Sequence, residues 1–276
     1  MNGRDDTTKI YIMTDMEGIS GVINFEDWVV PGGCYYERGK QFTTEQVNAA
    51  IEGFILGGAD EIDVIDGHGS GGIDISLLDP RVSYIRGTNG PYPFALSETY
   101  DGIAWIGQHA KAGTPYAHLA HTGSFNVAQY RINGISVGEF GTIAFLAASF
   151  NVTPFFATGD VAFCAEARSL CPDIRTVSVK QGLDPETGDN FTTDEYSRQG
   201  LGAKHIAPAL ACKRIQEAAK EAVAALPLMQ KKPLTPLSAP YELKIDYRTD
   251  KPGEYKKVIY KHPDSLVDLL NNSLQS

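Results

Sequence analysis

Short apolar runs alternate with longer amphipathic stretches along most of this chain of 276 residues, and this alternation restricts the fold most strongly. Seven runs have the length and the β-branched and aromatic content of buried strands: 9–14, 61–66, 82–87, 103–107, 132–137, 154–158 and 176–180. Helical spacing of apolar residues occurs over 36–57, 138–150, 160–171 and about 207–226. We therefore predict an α/β fold whose central, largely parallel or mixed sheet is flanked by helices.

A proline-rich stretch near the C-terminus marks a change in composition. Four of the fourteen residues from 227 to 240 are proline, which is typical of a linker or an extended surface segment. We therefore predict an α/β domain over 1–227 and a C-terminal extension over 228–276. The extension contains two runs with strand character and a short helical stretch, at 241–247, 258–262 and 264–274. This small α+β segment is expected to pack on the main domain or on a neighbouring subunit.

The composition excludes several classes of partner. The formal net charge is −10, which argues against a nucleic-acid groove and against binding to an anionic membrane surface. The polar N-terminal segment lacks the apolar stretch of a signal peptide, and no run reaches the roughly 20 apolar residues of a membrane-spanning helix. A cytoplasmic location is therefore expected.

The four cysteines predict neither a disulfide framework nor a sulfur-ligated zinc site, since no Cys-x-x-Cys pair occurs. Cys164 and Cys171 lie seven residues apart in a predicted helix. Their Cα atoms are then about 10 Å apart, beyond the roughly 7 Å that a disulfide allows. All four cysteines are therefore predicted to be buried free thiols.

Several of the predicted strands end in a metal-capable side chain or are followed by one within a few residues. They are Asp15 and Glu17 after 9–14, Asp66 and His68 after 61–66, His109 after 103–107, and Asp160 after 154–158. In open α/β sheets, ligands bind beyond the carboxyl ends of the strands, so these side chains are expected to converge on one crevice. Extended backbone places Asp15 and Glu17 on one side and turns Met16 into the packing.

Carboxylates combined with imidazoles form a nitrogen–oxygen ligand set that suits zinc, with cobalt, manganese or iron as alternatives. Each residue alone also has an ordinary structural explanation, such as a capping or surface-turn role, but the shared placement at strand ends favours a metal site. Glu139 is a fifth candidate, although the helix dipole also favours an acid at the start of a helix. Five ligands are enough for two ions, with one carboxylate as a bridge.

The remaining histidines and a glycine-rich segment give weaker signals. His118 and His121 are three residues apart, a spacing that fits a pair on one helix face, and either could act as a general acid or base. His205 and His262 have no supporting context and are interpreted as structural. The segment GHGSGG (67–72) lacks the Lys-Ser/Thr ending of a P-loop.

Several motifs together resemble one family of enzymes. They are KIYIMTDMEGISGV (9–22), YERG (36–39), DGHGS (66–70), GQHAKAGTP (107–115), AHTGSF (120–125) and NGISVGEFG (133–141). In this order they are similar to the zinc-dependent D-aminopeptidases, whose type member is the enzyme of the bacterial dipeptide-transport operon. The resemblance extends over about residues 9–227.

The resemblance implies a set of site residues and an assembly. The positions that bind a pair of zinc ions in the family are occupied here by Asp15, Glu17, His68, His109 and Glu139. His121 takes the position of the catalytic histidine. Because the stretch from His109 to His121 is one residue longer than in the family, His118 remains an alternative. The family also implies a ring-shaped homodecamer whose active sites face an inner chamber that admits small peptides.

The implied activity is removal of the N-terminal residue from short peptides or amino-acid amides, with D-configured substrates. The expected mechanism is attack of a zinc-bound hydroxide on the first carbonyl, with an acid such as Asp160 or Glu37 holding the free amine of the substrate. An L-aminopeptidase or amidase on the same scaffold is an alternative, because pocket walls rather than metal ligands set stereochemistry. A non-catalytic peptide-binding protein is a further alternative, but it would not need five convergent ligands.

Overall fold

Strands and helices alternate through the part of the chain that the computed structural model describes, which is residues 7–87, 92–229 and 237–275. The strands are β1 (Lys9–Thr14), β2 (Glu61–Asp66), β3 (Ser83–Ile85), β4 (Gly102–Gln108), β5 (Val127–Ile132), β6 (Ile135–Ser136), β7 (Thr153–Asp160), β8 (Arg175–Gly182), β9 (Ala203–His205), β10 (Tyr241–Arg248) and β11 (Tyr255–His262). The helices are α1 (Phe25–Trp28), α2 (Tyr36–Leu56), α3 (Glu139–Ser149), α4 (Val161–Leu170), α5 (Thr193–Ser197), α6 (Pro208–Ala225) and α7 (Leu266–Ser273), and a 3₁₀ turn follows at Leu226–Leu228.

The main sheet has seven strands within the described residues, in the order β3-β2-β1-β4-β7-β8-β9. Strand β1 pairs in parallel with β2 and β4, and β7 pairs in parallel with β4 and β8. The edge strand β9 is antiparallel to β8. The predicted α/β fold with a largely parallel, mixed sheet is confirmed. Because the parallel strands run in one direction, the carboxyl ends of β1, β2, β4 and β7 meet at one edge of the sheet.

Helices cover both faces of this sheet, and β1 shows how the sequence produces that arrangement. Tyr11 and Met13 point into the core that includes α3 and α4. Ile10 and Ile12 point into the core that includes α2 and α6. Successive side chains of a strand face opposite sides, so burial on both faces requires an unbroken apolar run, and 9–14 supplies one.

A second sheet of four strands in the described residues has the order β11-β10-β5-β6 and is antiparallel. The predicted strand over 132–137 is wrong, because its centre is the turn of the β5–β6 hairpin. Asn133 and Gly134 have φ values of 48° and 82°. Two-residue hairpin turns require such positive values, and Asn-Gly adopts them readily. The Asn-Gly pair is therefore a turn signal that outweighs the apolar residues around it.

The C-terminal residues share a sheet and a core with the rest of the chain. Strand β10 pairs with β5, and Leu266, Leu269 and Leu270 of α7 join the same core as Trp105 of β4. The two strands and the short helix predicted here are present as β10, β11 and α7. The domain division between 227 and 228 stays a prediction, and residues 230–236 of the proline-rich stretch lie outside the described residues.

The thiols are free, as predicted, but they are not all buried. Cys164 and Cys171 are buried and Cys212 is partly buried, whereas Cys34 is exposed. Cys34 lies in the turn between α1 and α2, where its Sγ is 3.4 Å from Oδ1 of Asp27 at the surface. None of the helices in the described ranges is long and apolar enough to cross a bilayer.

Candidate metal centre

The turn after β1 carries two of the predicted ligands, Asp15 and Glu17. Two backbone bonds hold this turn against the end of β4: the Asp15 N–H donates to Ile106 O at 3.0 Å and the Gly18 N–H donates to Gly107 O at 2.7 Å. A Cβ at Gly18 would lie 2.1 Å from a backbone oxygen of β4, so only glycine fits there. Both acids are buried as a result, at 6% and 2% exposure for Asp15 and Glu17.

His68 lies in the loop after β2, and Asp66 organises this loop. The Asp66 carboxylate accepts hydrogen bonds from the backbone N–H of Gly72 at 2.9 Å and from the Tyr84 hydroxyl at 2.9 Å. Nη1 of Arg86 donates to the His68 carbonyl at 3.0 Å. These contacts place His68 Nε2 3.5 Å from Oε1 of Glu17. The sequence suggested Asp66 as metal-capable, and the structure gives it this supporting role.

His109 follows β4 and lies at the centre of the acidic side chains. Its Nδ1 is 2.9 Å from the Ala110 carbonyl, so that nitrogen carries the proton and donates it to the oxygen. Its Nε2 is then free to face the carboxylates, 3.3 Å from Oδ2 of Asp15 and 3.5 Å from Oε1 of Glu139. Glu139 begins α3, and its Oε1 also accepts the Gly123 N–H at 2.7 Å.

His121 joins the same cluster, whereas His118 does not. The His121 ring stacks on the His109 ring with centroids 3.9 Å apart, and its Nε2 is 3.8 Å from Oε1 of Glu139. The predicted helical pair is wrong, since both histidines lie outside helices and Leu119 between them has a φ of 57°. His118 is turned away, with Nε2 2.9 Å from the Ile23 carbonyl.

The geometry of the cluster fits a divalent metal. The described residues contain two sets of donors. Asp15, Glu17 and His109 form one set, and His109, His121 and Glu139 form the other. Within each set, the donor atoms all lie within 4.8 Å of one another. Glu17 Oε2 and His109 Nε2 are buried and have no hydrogen-bond partner among the described residues. Buried polar atoms without partners are costly, and a cation bound between them removes that cost. Nitrogen and carboxylate oxygen are the donors that zinc accepts.

The electrostatics of the cluster also favour a cation. Burial and the neighbouring Glu17 carboxylate raise the pKa of Asp15 well above its usual value. Burial opposes ionisation of Glu139, but His109 and His121 lower the pKa of Glu139 to about 2. Burial opposes protonation of His109, yet Glu139 and Asp15 together raise its pKa well above the usual value. The carboxylates therefore attract positive charge to this point, which a metal ion can supply in place of protons.

A cavity of about 340 Å³ opens beside the cluster. Its polar lining comes from the cluster, including Glu17, His68, His121 and Glu139. Its apolar lining comes from Phe25, Val30, Tyr92, Phe94 and Ile143. A cavity of this size, with apolar walls and a few convergent polar groups, is typical of a site for a small organic substrate.

Asp160 and Glu37, the acids expected to hold the free amine of the substrate, do not line this cavity, so that expectation is wrong. Asp160 is fully buried and caps α4, with Oδ1 accepting the Phe163 N–H at 2.6 Å and Oδ2 accepting the His118 N–H at 2.7 Å. Glu37 is exposed and pairs with Lys40 at 2.7 Å. Both are ordinary structural roles for acids at the start of helices.

Gln108 is a site residue that the sequence reasoning missed. It ends β4, is 3% exposed, and donates from Nε2 to Oδ2 of Asp15 at 2.8 Å. This bond fixes one predicted ligand before any metal binds. Gln108 lies at the carboxyl end of a predicted strand, directly before His109. Because ligands bind at these strand ends, its position could have identified it.

Buried carboxylates and imidazoles that converge beside an open cavity, at the carboxyl edge of an α/β sheet, are the arrangement of a metal-dependent enzyme. Residues 8–260 match the peptidase family M55, described as D-aminopeptidase, and the chain belongs to this family. The family prediction made from the motifs is confirmed.

A sequence comparison and a structure comparison, both with a D-aminopeptidase of Bacillus subtilis, support this membership. A D-aminopeptidase of strain 168 is 32% identical over 235 residues, which covers 84% of this chain and 79% of that protein. The solved structure of a zinc-dependent D-aminopeptidase, described as a self-compartmentalizing protease, has a TM-score of 0.79 at 26% identity and covers 97% of this chain and 96% of its own. The structural similarity therefore extends beyond residue 227, where the resemblance in the motifs ends.

Proposed function

We propose that this protein is a zinc-dependent aminopeptidase that removes the N-terminal residue from short D-configured peptides. The observation that carries the proposal is the convergence of buried donors around unpartnered atoms of Glu17 and His109, at the mouth of a cavity of about 340 Å³. The choice of zinc and of a D-configured substrate is supported by the similarity to D-aminopeptidases, one of which is described as zinc-dependent.

The residues that would hold zinc are Asp15, Glu17, His68, His109 and Glu139. We propose two ions. His109 would bind one of them, because Nε2 offers a single lone pair, and a carboxylate would be the ligand that the two ions share. When bound, zinc polarises a substrate carbonyl and lowers the pKa of a water molecule to around 7, which makes a nucleophile available at neutral pH. The chain itself contributes a fixed ligand geometry, since Gln108 and Arg86 hold Asp15 and the His68 loop in place.

His121 is proposed as the group that moves a proton during the reaction. Its Nδ1 donates to the Leu119 carbonyl at 2.9 Å, so Nε2 is the nitrogen that faces the cavity and Glu139. Burial and the adjacent His109 lower the pKa of His121, which leaves Nε2 without a proton at neutral pH. This nitrogen accepts a proton as the peptide bond is attacked and returns it to the leaving amine.

The self-compartmentalizing relative supports a closed assembly of several copies of this chain. We propose the ring-shaped decamer that the motifs imply, with the active sites facing an inner chamber. The substrates would then be peptides short enough to enter that chamber. A cytoplasmic location is part of the same proposal.

The test is a substrate panel with zinc-loaded protein and the same protein after chelation. The panel contains matched D- and L-alanyl p-nitroanilides, alaninamides and alanyl dipeptides. We expect hydrolysis of the D-compounds at kcat/KM at least tenfold above the L-compounds, and its loss on chelation. Preference for the L-compounds would identify an L-aminopeptidase, and cleavage of amides alone would identify an amidase. Peptide binding without cleavage, by protein that takes up no metal, would contradict the proposal outright.

A further inference from the structure

The cavity at the metal cluster has an apolar wall that the proposed chemistry does not use. Among the described residues that line this cavity, the carboxylates and imidazoles all belong to the metal cluster. Much of the remaining wall is formed by Phe25, Val30, Tyr92, Phe94 and Ile143. Once the cluster holds metal, no carboxylate in this lining is left to pair with a charged side chain of a substrate. An apolar side chain is therefore the natural complement of the wall.

Tyr92 and Phe94 belong to a turn with an unusual backbone. Phe94 and Ala95 have φ values of 55° and 62°, and the turn is closed by the Leu96 N–H, which donates to the Pro93 carbonyl at 3.0 Å. Bulky residues rarely adopt positive φ. Such strain persists only where the surroundings impose it, and it is concentrated at binding and catalytic sites. The turn therefore points to a functional role for the two rings that it places in the cavity wall.

Two elements far away in the sequence hold this turn in place. The Tyr11 hydroxyl of β1 donates to the Phe94 carbonyl at 2.8 Å. Asn271 of α7 binds both backbone groups of Tyr92, since Oδ1 accepts the N–H at 3.2 Å and Nδ2 donates to the carbonyl at 3.0 Å. The rings of Tyr92 and Phe94 pack edge to face with centroids 5.1 Å apart. The wall is thus preorganised, and a ligand does not have to order it.

A neighbouring space offers room for the rest of a peptide. A second cavity, of about 720 Å³, shares Tyr92, Gly123 and Glu139 with the cavity at the metal cluster. Its lining includes the hydroxyl group of Ser124 and the side chain of Arg248, and polar groups of this kind suit the peptide groups of a leaving portion. An aminopeptidase cleaves the first peptide bond, so only the leaving portion has to extend past the cluster. With that portion in the second cavity, the first residue lies against the apolar wall.

We propose that the apolar wall binds the side chain of the first residue of the peptide, and that this side chain is apolar and larger than that of alanine. The size follows from the cavity, since about 340 Å³ accommodates more than a methyl group and each further buried methylene improves binding about fourfold. Val30 and Phe94 are then specificity-determining residues. The inference rests on the proposed aminopeptidase function and names its substrates as short peptides that begin with a residue such as D-leucine or D-phenylalanine.

The test compares two matched series of dipeptides on the zinc-loaded protein. D-leucyl-glycine, D-alanyl-glycine and D-aspartyl-glycine differ at the first residue, whereas D-alanyl-D-leucine and D-alanyl-glycine differ at the second. We expect kcat/KM for D-leucyl-glycine to exceed that for D-alanyl-glycine by about 10- to 100-fold, D-aspartyl-glycine to be the poorest substrate, and the second residue to matter less. Equal efficiency across the first series, or a larger effect of the second residue, overturns the inference, while the aminopeptidase function stands.

Two variants test the wall itself. Val30→Asp adds a carboxylate to it, so kcat/KM for D-lysyl-glycine relative to D-leucyl-glycine is expected to rise about tenfold. The control Val161→Asp places the same charge on an exposed valine outside the lining, and this ratio is unchanged. Phe94→Asn removes a ring from the wall, with a residue that tolerates positive φ, and the preference for leucine over alanine falls toward one. Unchanged ratios in both variants contradict the inference.

The readouts separate this inference from the proposed function. Each ratio compares two substrates of the same protein preparation, so a partial loss of folded or zinc-loaded protein cancels. If the wild-type protein cleaves none of the compounds, the proposed function fails. Calorimetric binding of D-leucinamide and D-alaninamide then tests the wall alone: tighter binding of D-leucinamide that Phe94→Asn abolishes supports the inference, and equal binding of both amides contradicts it.

Discussion

At the scale of single residues, His121 is placed for either of two roles, catalysis or metal binding. Its Nε2 lies 3.8 Å from Glu139, which is farther than the 3.5 Å between His109 Nε2 and the same carboxylate oxygen. His121 also belongs to one of the two donor sets, so a ligand role is the competing explanation.

His121→Ala is expected to retain the zinc content of the wild-type protein and to lower kcat by about 10²- to 10⁴-fold, the usual contribution of a general acid or base. Metal analysis and steady-state kinetics of the same preparation provide the two measurements. His205→Ala, outside both donor sets, is the control. A parallel loss of zinc in His121→Ala would make His121 a ligand instead.

His118 gives a prediction about pH and stability. Burial, with Lys180 and His205 nearby, lowers its pKa to about 2 in the folded protein, against about 6.5 when unfolded. Above about pH 6.5 the histidine is neutral in both states and has no pH-dependent effect. Below that value only the unfolded chain binds the proton, so stability is lost by about 1.4 kcal/mol per pH unit as the pH falls toward 2.

His118→Gln is therefore expected to have a shallower decline of unfolding free energy between pH 6.5 and pH 5 than the wild-type protein. Urea unfolding at three pH values measures both slopes, and the other titrating groups cancel in the difference. Identical slopes would show that His118 titrates normally in the folded protein.

The sequence identifies a site residue when the evidence for its role lies in the residues next to it. Asp15, Glu17, His68 and His109 were predicted to converge from their places after apolar strands, and the structure brings them together. Glu139 required the family resemblance, because a glutamate at the start of a helix is also explained by the dipole. The carbonyls of Phe125 and Val127, which accept hydrogen bonds from Arg248, lie more than a hundred positions away from it, so no local pattern could indicate these contacts.

At the scale of elements, the loop after β2 shows how a supporting residue controls a ligand. Asp66 accepts backbone N–H groups from Gly72 and Ile73 and so closes the loop that carries His68. Arg86, just beyond β3, donates to the carbonyls of His68 and Gly69 in the same loop.

Asp66→Ala is expected to weaken zinc binding by about 10- to 100-fold, the range for residues that orient metal ligands, with a smaller effect on folding. Competition titration against a chromophoric chelator gives the affinity. The matched control is Asp194→Ala, which removes an exposed carboxylate paired with Arg198. Unaltered affinity in Asp66→Ala would mean that the loop holds His68 without this carboxylate.

Elements with a strong periodic pattern were predicted well, and those fixed by turn geometry were not. Strands β1 and β4 form from largely apolar runs and β2 from a run of apolar and acidic residues, and all three are present as predicted. The β5–β6 hairpin was missed because Asn133 and Gly134 turn the chain inside an apolar run. The segment from His118 to His121 has helical spacing but positive φ at Leu119, a tertiary constraint that spacing does not reveal.

At the scale of the whole molecule, bound zinc is expected to stabilise the folded protein in addition to its role in catalysis. The buried carboxylates and imidazoles come from β1, β2, β4, α3 and the loops between them, so an ion bound there links several elements. A ligand at about a thousand times its Kd adds roughly 4 kcal/mol to stability. For a chain of this length that corresponds to a rise in Tm on the order of 10 °C.

Thermal unfolding with and without chelator measures this rise, and calcium serves as the control ion because it prefers oxygen ligands in larger number. An equal Tm in both conditions would mean that the ion contributes nothing to the folded state.

The most direct test of the account is a zinc titration of metal-free protein, followed by D-alanyl dipeptide hydrolysis at each point. Hydrolysis is expected to rise with bound zinc and to saturate at two ions per chain. His109→Ala, which removes the donor common to both sets, should bind less zinc and lose activity by more than about 100-fold. Full hydrolysis by protein without zinc, or by His109→Ala, would contradict the account.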